Sequence, residues 1–313
     1  MNKDSRIYVA GHNGLVGSAI VRRLKSEGYK NIITISSKDL DLRNQLAVNY
    51  FFQGIQPEYI FMCAAKVGGI KANKEQKGSF IYDNLMIQTN IINSARIWDV
   101  KKMLFLGSSC IYPKMCEQPI KEEYLLSGYL EPSNDAYAIA KIAGIQMCQS
   151  YNQQYGTNFI SVMPTNLYGI GDNYNPETSH VLPALIRRIH QAKIKDQVDI
   201  MCWGDGTPMR EFLFNEDLAD ACIFLMNNYD SSEIINIGTG IDMTIKELAE
   251  TIKKVIYPEA NILFNNEDSL NGTPRKVLDV SKINNLGWYP KVSFSEGIEL
   301  AYKNYLSRSI TVI

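Results

Sequence analysis

Residues 6 to 28 read RIYVAGHNGLVGSAIVRRLKSEG, and no other stretch restricts the possible folds as tightly. RIYVAG is a β-rich run. Directly after it Leu15, Val16, Ala19, Ile20 and Leu24 recur at helical spacing, and Gly28 supplies a C-terminal stop. Gly11, Gly14 and Gly17 fall between strand and helix as G-x-x-G-x-x-G. Lacking Cβ atoms, they let the turn tighten, bring backbone N–H groups close to a pyrophosphate and let the helix pack on the strand. Three glycines alone are a weak motif, but between a strand and an amphipathic helix they point to a dinucleotide.

The alternation continues. NIITIS (31–36), YIFMCAA (59–65), KMLFLGSS (102–109) and FISVMPTN (159–166) read as further strands, with helical stretches between them. This order predicts an α/β fold: a Rossmann-like, doubly wound parallel sheet with ligands at the carboxyl ends of its strands, where Gly11 and Ser109 both fall. Beyond about residue 167 the periodicity loosens into loops rich in Gly, Pro and Asn, such as YGIGDNYNPETSH and WGDGTPMREF. The expected division is an NAD(P)-binding domain over 1–166 and a smaller α/β lobe, mainly substrate-binding, over 167–313. Segments near 211–237 are expected to return to the first domain.

Composition narrows the partners. The 313 residues carry 32 basic and 33 acidic side chains, a formal charge of −1, with no basic run suited to a phosphate backbone, so nucleic acid is not expected. No apolar stretch approaches the roughly 18 to 20 residues that span a bilayer. MNKDSRIYVAG runs straight into a strand pattern without a signal-peptide core, which gives an expectation of a cytoplasmic protein with no membrane partner. The six cysteines (63, 110, 116, 148, 202, 222) show no CxxC pair and no histidine at metal-site spacing, so free thiols and no metal are expected.

DAYAIAKIAG (135–144) places Tyr137 and Lys141 one helical turn apart, behind the serines of GSSCIYPK (107–114). Such a pair alone is commonplace. A serine at a strand tip followed by Y-x-x-x-K, behind a glycine-rich turn, resembles the short-chain dehydrogenase/reductase superfamily, and the whole chain is similar to its extended branch. A free phenol titrates near pH 10, and a nearby ammonium favours the phenolate, so Lys141 is expected to draw the Tyr137 pKa down.

Longer strings sharpen the likeness: AAKVGGIKAN (64–73), LGSSCIYPK (106–114), YAIAKIAGI (137–145), MPTNLYG (163–169), SHVLPALIRR (179–188), WGDGTPMREFL (203–213) and NGTPRKVLDV (271–280). Together they resemble the GDP-L-fucose synthases, which epimerise GDP-4-keto-6-deoxy-D-mannose at C3 and C5 and then reduce C4. The resemblance implies Ser108, Tyr137 and Lys141 for reduction, with Ser109 assisting on the substrate, and Cys110 with His180 for epimerisation. It assigns the cofactor to Gly11, Asn13, Gly14, Leu15, Gly17, Ser37, Lys38, Ala64, Lys141 and His180, and the GDP-sugar to Asn166, Arg188, Trp203 and Arg210. A homodimer through helices near 85–98 and 136–154 is implied as well.

Each assignment has a plainer alternative: Trp203 as core filling, Arg188 as a solvated charge, Cys110 as a small buried hydrophobe, His180 as a structural imidazole. The chain also departs from the pattern. Relatives often carry arginines in the glycine loop and past the second strand, where this chain has Asn13 and ISSKDLD. With no acidic residue right at that strand end, Ser36, Ser37 and Lys38 are the expected receivers of a 2′-phosphate, which favours NADPH. Phe214 stands where relatives often have histidine, marking either an altered pocket or altered packing. Three functions stay open: the bifunctional epimerase/reductase, a reductase-only enzyme on a related GDP-4-keto-6-deoxy-heptose, and a non-catalytic nucleotide-binding regulator.

Overall fold

The structure, a computed structural model, describes residues 1–265 and 273–310, so Asn271 and Gly272 of the NGTPRKVLDV string lie outside the described residues. The first half runs β1 (Ile7–Ala10), α1 (Leu15–Ser26), β2 (Ile32–Ile33), α2 (Gln45–Ile55), β3 (Tyr59–Met62), α3 (Ile70–Glu75), α4 (Lys77–Ile97), β4 (Lys102–Leu106), α5 (Asp135–Tyr155) and β5 (Phe159–Pro164). The second half runs β6 (Asn166–Tyr168), α6 (Val181–Ile194), β7 (Asp199–Cys202), β8 (Met209–Phe214), α7 (Asn215–Asn228), β9 (Ile235–Ile237), β10 (Asp242–Thr244), α8 (Ile245–Ile256), β11 (Asn261–Phe264), β12 (Arg275–Lys276), α9 (Ser281–Asn285) and α10 (Phe294–Ile310).

The main sheet has six parallel strands in the order β2-β1-β3-β4-β5-β9. Its central strands β1 and β4 are buried along their length, because helices cover both faces; this is why IYVA and MLFL are continuous apolar runs rather than alternating ones. The strand order reverses between β1 and β3–β4, which opens a crevice at their carboxyl ends. The expected α/β, Rossmann-like sheet is therefore present.

Two strands differ from the sequence reading. The second covers only Ile32–Ile33, since it lies at the sheet edge with β1 as its sole neighbour, and the polar ISSK stretch leaves the sheet. FISVMPTN is not one strand. Pro164 ends β5, having no N–H to continue a ladder, and after Thr165 the chain enters a second sheet, where Asn166 sits opposite Phe212 of β8. That sheet has the order β10-β8-β12, with β6 also on β8, while β11 and β7 form a separate parallel pair. A second apolar core, including Tyr168, Ile186, Phe212, Leu248 and Ile252, fills this half. Thr244 and Glu247 close a capping box at the head of α8, whose Leu248, Ala249, Ile252 and Ile256 share the buried face.

The chain crosses between the halves more than once. Residues 209–214 lie in the second sheet, whereas α7 packs on α1 and β9 extends the main sheet. Leu278, Val280, Ile283 and Trp288 then rejoin the first core. Phe214 is buried against Tyr168 with ring centroids 5.6 Å apart, so it is a packing residue of the second core. Among the described residues no helix is long and apolar enough to cross a membrane, no His/Cys/Asp/Glu cluster could hold a metal ion, and all six cysteines are free thiols.

One buried carboxylate ties these crossings together. Glu211, in the middle of β8, is 0% exposed. It accepts from the backbone N–H groups of Thr239 (2.5 Å), Gly240 (2.8 Å) and Leu278 (2.9 Å). Burial pushes its pKa up, and those N–H groups oppose the shift. Glu211→Ala should leave the three N–H groups without partners, at about 1–3 kcal/mol each where water cannot reach them. We expect urea denaturation to show a loss of about 3 kcal/mol or more, with Glu211→Gln losing clearly less; an Ala variant within 0.5 kcal/mol of the parent, roughly the size of a surface change, would contradict this role.

Candidate active site

The glycine turn is shaped for close backbone approach. Gly11 has φ +82°, and a Cβ there would lie 2.7 Å from the Ala64 nitrogen at the end of β3. A Cβ on Gly17 would collide with the Gly11 carbonyl. Gly14 caps α1 without a side-chain hydrogen bond, and no acidic residue stands in the first turn, so the positive end of the helix is open at an exposed Asn13–Gly14. These features fit a pyrophosphate. Past β2, the Ser36 hydroxyl donates to Asp39 (2.5 Å), which removes it from the expected phosphate ligands. Ser37 and Lys38 remain exposed beside it.

At the end of β4 the chain passes Gly107, where a Cβ would overlap the Met163 side chain, and enters a 3₁₀ turn over Ser109–Ile111. Ser108 caps that turn by accepting from the Cys110 N–H at 3.2 Å. The first turns of α5 deliver Tyr137 and Lys141 to the same place. Tyr137 shares a hydrogen bond with Ser108, while the Lys141 ammonium donates to the Leu106 carbonyl at 2.7 Å and lies 5.8 Å from the Tyr137 ring centroid. Lys77 fixes the head of α5 through Asp135 (2.8 Å) and the Pro132 carbonyl (2.7 Å).

The electrostatics reverse one expectation. Burial pushes the Tyr137 phenol well above its ordinary value, negative charge on Cys110 would add to this, and the Ser108 hydrogen bond opposes it. Lys141 does not pull it down. At 2% exposure its own ammonium is desolvated, bringing its pKa to about 8, and it is turned toward the Leu106 carbonyl. The phenol is thus held protonated.

Ser108, Cys110, Tyr137 and Lys141 form one cluster, with Ser109 buried beneath it. His180 stands apart as the N-cap of α6, and no hydrogen bond or ion pair joins it to that cluster among the described residues. The residue as a whole is exposed, and desolvation of its ring lowers its pKa. The Gly69 N–H donates to the Thr178 carbonyl (3.2 Å), bringing the loop after β3 against the one that ends at His180.

The remaining candidates line the second lobe. Arg188 donates to the Met201 carbonyl (2.8 Å), and its guanidinium lies 5.0 Å from the ring centroid of Trp203. Trp203 is 65% exposed, which rules out core filling. Asn166 donates to the Glu211 carbonyl (2.8 Å), and Arg210, on the neighbouring strand, is half-buried with its pKa lowered by burial. Two residues of this region were not singled out from sequence. Glu211 was hidden in MREFL, its only signal being an acid inside a β-rich run. Lys276, whose ammonium donates toward the Cys110 sulfur at 3.7 Å, stood in a quoted string without a role.

Known proteins resemble this chain along most of its length. The sequence pattern of the NAD dependent epimerase/dehydratase family matches residues 7–238. GDP-L-fucose synthase 1 of Arabidopsis thaliana is 52% identical over 305 residues, covering 97% of this chain and 94% of the relative. GDP-L-fucose synthase of Escherichia coli K12 is 48% identical, covering 96% of each. A solved GDP-mannoheptose C4 reductase from Campylobacter jejuni with NADP bound superimposes with a TM-score of 0.90 at 40% identity, over 98% of this chain and 99% of that one. With the glycine turn, the Ser–Tyr–Lys cluster and near full-length identity in agreement, this chain belongs to the NAD dependent epimerase/dehydratase family and, within it, to the GDP-L-fucose synthases.

Proposed function

We propose that the protein reduces C4 of a GDP-linked 4-keto-6-deoxy sugar with NADPH and inverts C3 and C5 of the same sugar. The observation that carries this reading is the position of the Cys110 thiol on the turn capped by Ser108, so a base for epimerisation and the Ser108–Tyr137 pair for reduction share one bound sugar. The backbone around Gly11, Asn13, Gly14, Leu15 and Gly17 holds the pyrophosphate, Ala64 lies against that turn, Ser37 and Lys38 receive the 2′-phosphate, and Lys141 holds the nicotinamide ribose. When bound, the nicotinamide supplies the hydride for C4. Ser108 hydrogen-bonds the ketone oxygen, and Tyr137, kept protonated by burial, passes its proton to that oxygen as charge develops there.

Inversion uses the same ketone, which acidifies the hydrogens on C3 and C5 by stabilising the enolate. Cys110 takes a proton from one face and His180 returns one from the other. Because burial lowers the His180 pKa, its protonated form is a stronger acid than an ordinary imidazolium. On the nucleotide side, Arg188 and Arg210 offer planar forks to the diphosphate, Trp203 presents an exposed face, and Asn166 contacts the sugar, whereas Ser109, at 3% exposure, stays beneath the cluster.

The 40% identity with a GDP-mannoheptose C4 reductase favours a second reading, reduction of a GDP-4-keto-6-deoxy-heptose without inversion. Offering hexose and heptose in turn, with product stereochemistry read by NMR, separates the two. We also read the protein as a cytoplasmic homodimer. Tyr82 and Ile97 on α4, and Ile139 and Tyr155 on α5, are exposed apolar side chains available to a second copy, and free thiols suit a reducing compartment. A monomer in sedimentation velocity would reject the dimer, and recovery in a membrane or secreted fraction would reject the cytoplasm.

Steady-state kinetics should favour NADPH over NADH, and equal kcat/KM with NADH would overturn the Ser37–Lys38 assignment. Tyr137→Phe should bind both ligands and lose reduction by about 10² or more. In the wild type, kcat/KM for reduction should fall as pH rises through about 8, where Lys141 gives up its proton. Near-normal turnover of the Phe variant would move the donor role elsewhere. In deuterated water the wild type should wash deuterium into C3 and C5 without NADPH, while Cys110→Ser should lose that exchange yet reduce a ketone already in the product configuration. Normal exchange by the Ser variant would place the base on another residue.

A further inference from the structure

Lys276 is held in place from three directions. Its strand pairs with β8, setting it level with Arg210. The next two residues are pinned through their N–H groups, Val277 to the Gln118 side chain (2.9 Å) and Leu278 to Glu211 (2.9 Å). Ile120 and Val277 share a further backbone bond (2.8 Å), so the strand is laced to the loop that leads away from Cys110. The result is an ammonium 3.7 Å from the Cys110 sulfur, both groups partly buried.

The neighbouring charges leave that ammonium to the sulfur. Glu211 on β8 is committed to backbone N–H groups, and Asp242 on β10 pairs with Arg275 at 2.6 Å. Arg210 is a cation as well, Tyr137 on α5 is held neutral by burial, and the Cys116 thiol, which also feels Lys276, is pushed up by its own burial. Among the described residues Lys276 forms no ion pair with a carboxylate, and its hydrogen bond is to Cys110. A positive charge at this distance, shielded from bulk water, attracts the negative charge that appears on sulfur when its proton leaves.

We infer that Lys276 is a positioning residue for the epimerisation base: it orients the Cys110 sulfur and stabilises its thiolate. This rests on the epimerase reading above. The step runs from the thiolate form, the thiol proton having passed to solvent. The sulfur lone pair then takes the proton from C3 or C5, the C–H electrons move to the C4 oxygen as an enolate, and no oxidant or reductant is consumed.

The contact is tested without substrate by following alkylation of Cys110 with iodoacetamide against pH, with peptide mapping to separate it from Cys116. Lys276→Met should move the rise in alkylation to higher pH and slow it about tenfold at neutral pH, the effect of one unit in thiol acidity. Lys276→Arg, which keeps the charge, should restore most of the rate. With saturating GDP-4-keto sugar in deuterated water, the Met variant should lose about tenfold more in C3/C5 exchange than in C4 reduction. An unchanged alkylation profile in the Met variant overturns the inference, as does a shifted profile with undiminished exchange. A wild type that exchanges no deuterium sinks the epimerase reading, a failure kept distinct because the alkylation profile is read without sugar.

Discussion

The architecture depends on a carboxylate from which water is excluded. A buried acid is costly unless its oxygens are satisfied, and Glu211 meets that demand with N–H groups from two distant parts of the chain, the turn after β9 and the segment after β12. Gly238 is glycine for the same reason, since a Cβ there would strike the Glu211 carboxylate. The backbone carbonyl of Glu211 is engaged too, by the Thr165 hydroxyl (3.4 Å) and the Asn166 amide (2.8 Å). One residue therefore joins the point where the chain changes sheets to the two crossings that return, and Asn166, Arg210 and Lys276 are placed relative to one another by it.

Burial also decides the electrostatics of the Ser108–Tyr137–Lys141 cluster. An ammonium one turn from a phenol suggests an acidified phenol, and counting charges along the sequence leads to that answer. In the folded chain both groups are dry, so desolvation outweighs their mutual influence: the phenol goes up and the ammonium comes down. A site that delivers a proton to a developing alkoxide gains from this, because its donor stays loaded at neutral pH.

What could be read from sequence was local. The β1–α1 turn, the buried strands and the Ser–Tyr–Lys cluster each advertise themselves through periodicity or spacing within a few dozen residues. The misread features depend on a partner the pattern cannot name. Ile32–Ile33 stays short because it is an edge strand, and FISVMPTN breaks because Pro164 ends one ladder just before Asn166 finds another. Lys276 meets Cys110 across 166 positions, and the sign of the Tyr137 shift needs a burial that no spacing reports.

The partners of the Glu211 carboxylate are main-chain N–H groups, and every sequence supplies those at every position except proline. The tie between the halves thus rests on backbone geometry: Gly240 meets it with a left-handed φ of +71° and Thr239 adds its hydroxyl (3.4 Å), whereas none of these bonds draws on the side chains of the second core. The side chains of the second core can therefore change while the carboxylate still holds that half against the main sheet. A scaffold built in this way separates what fixes the relative placement of its halves from what fills them.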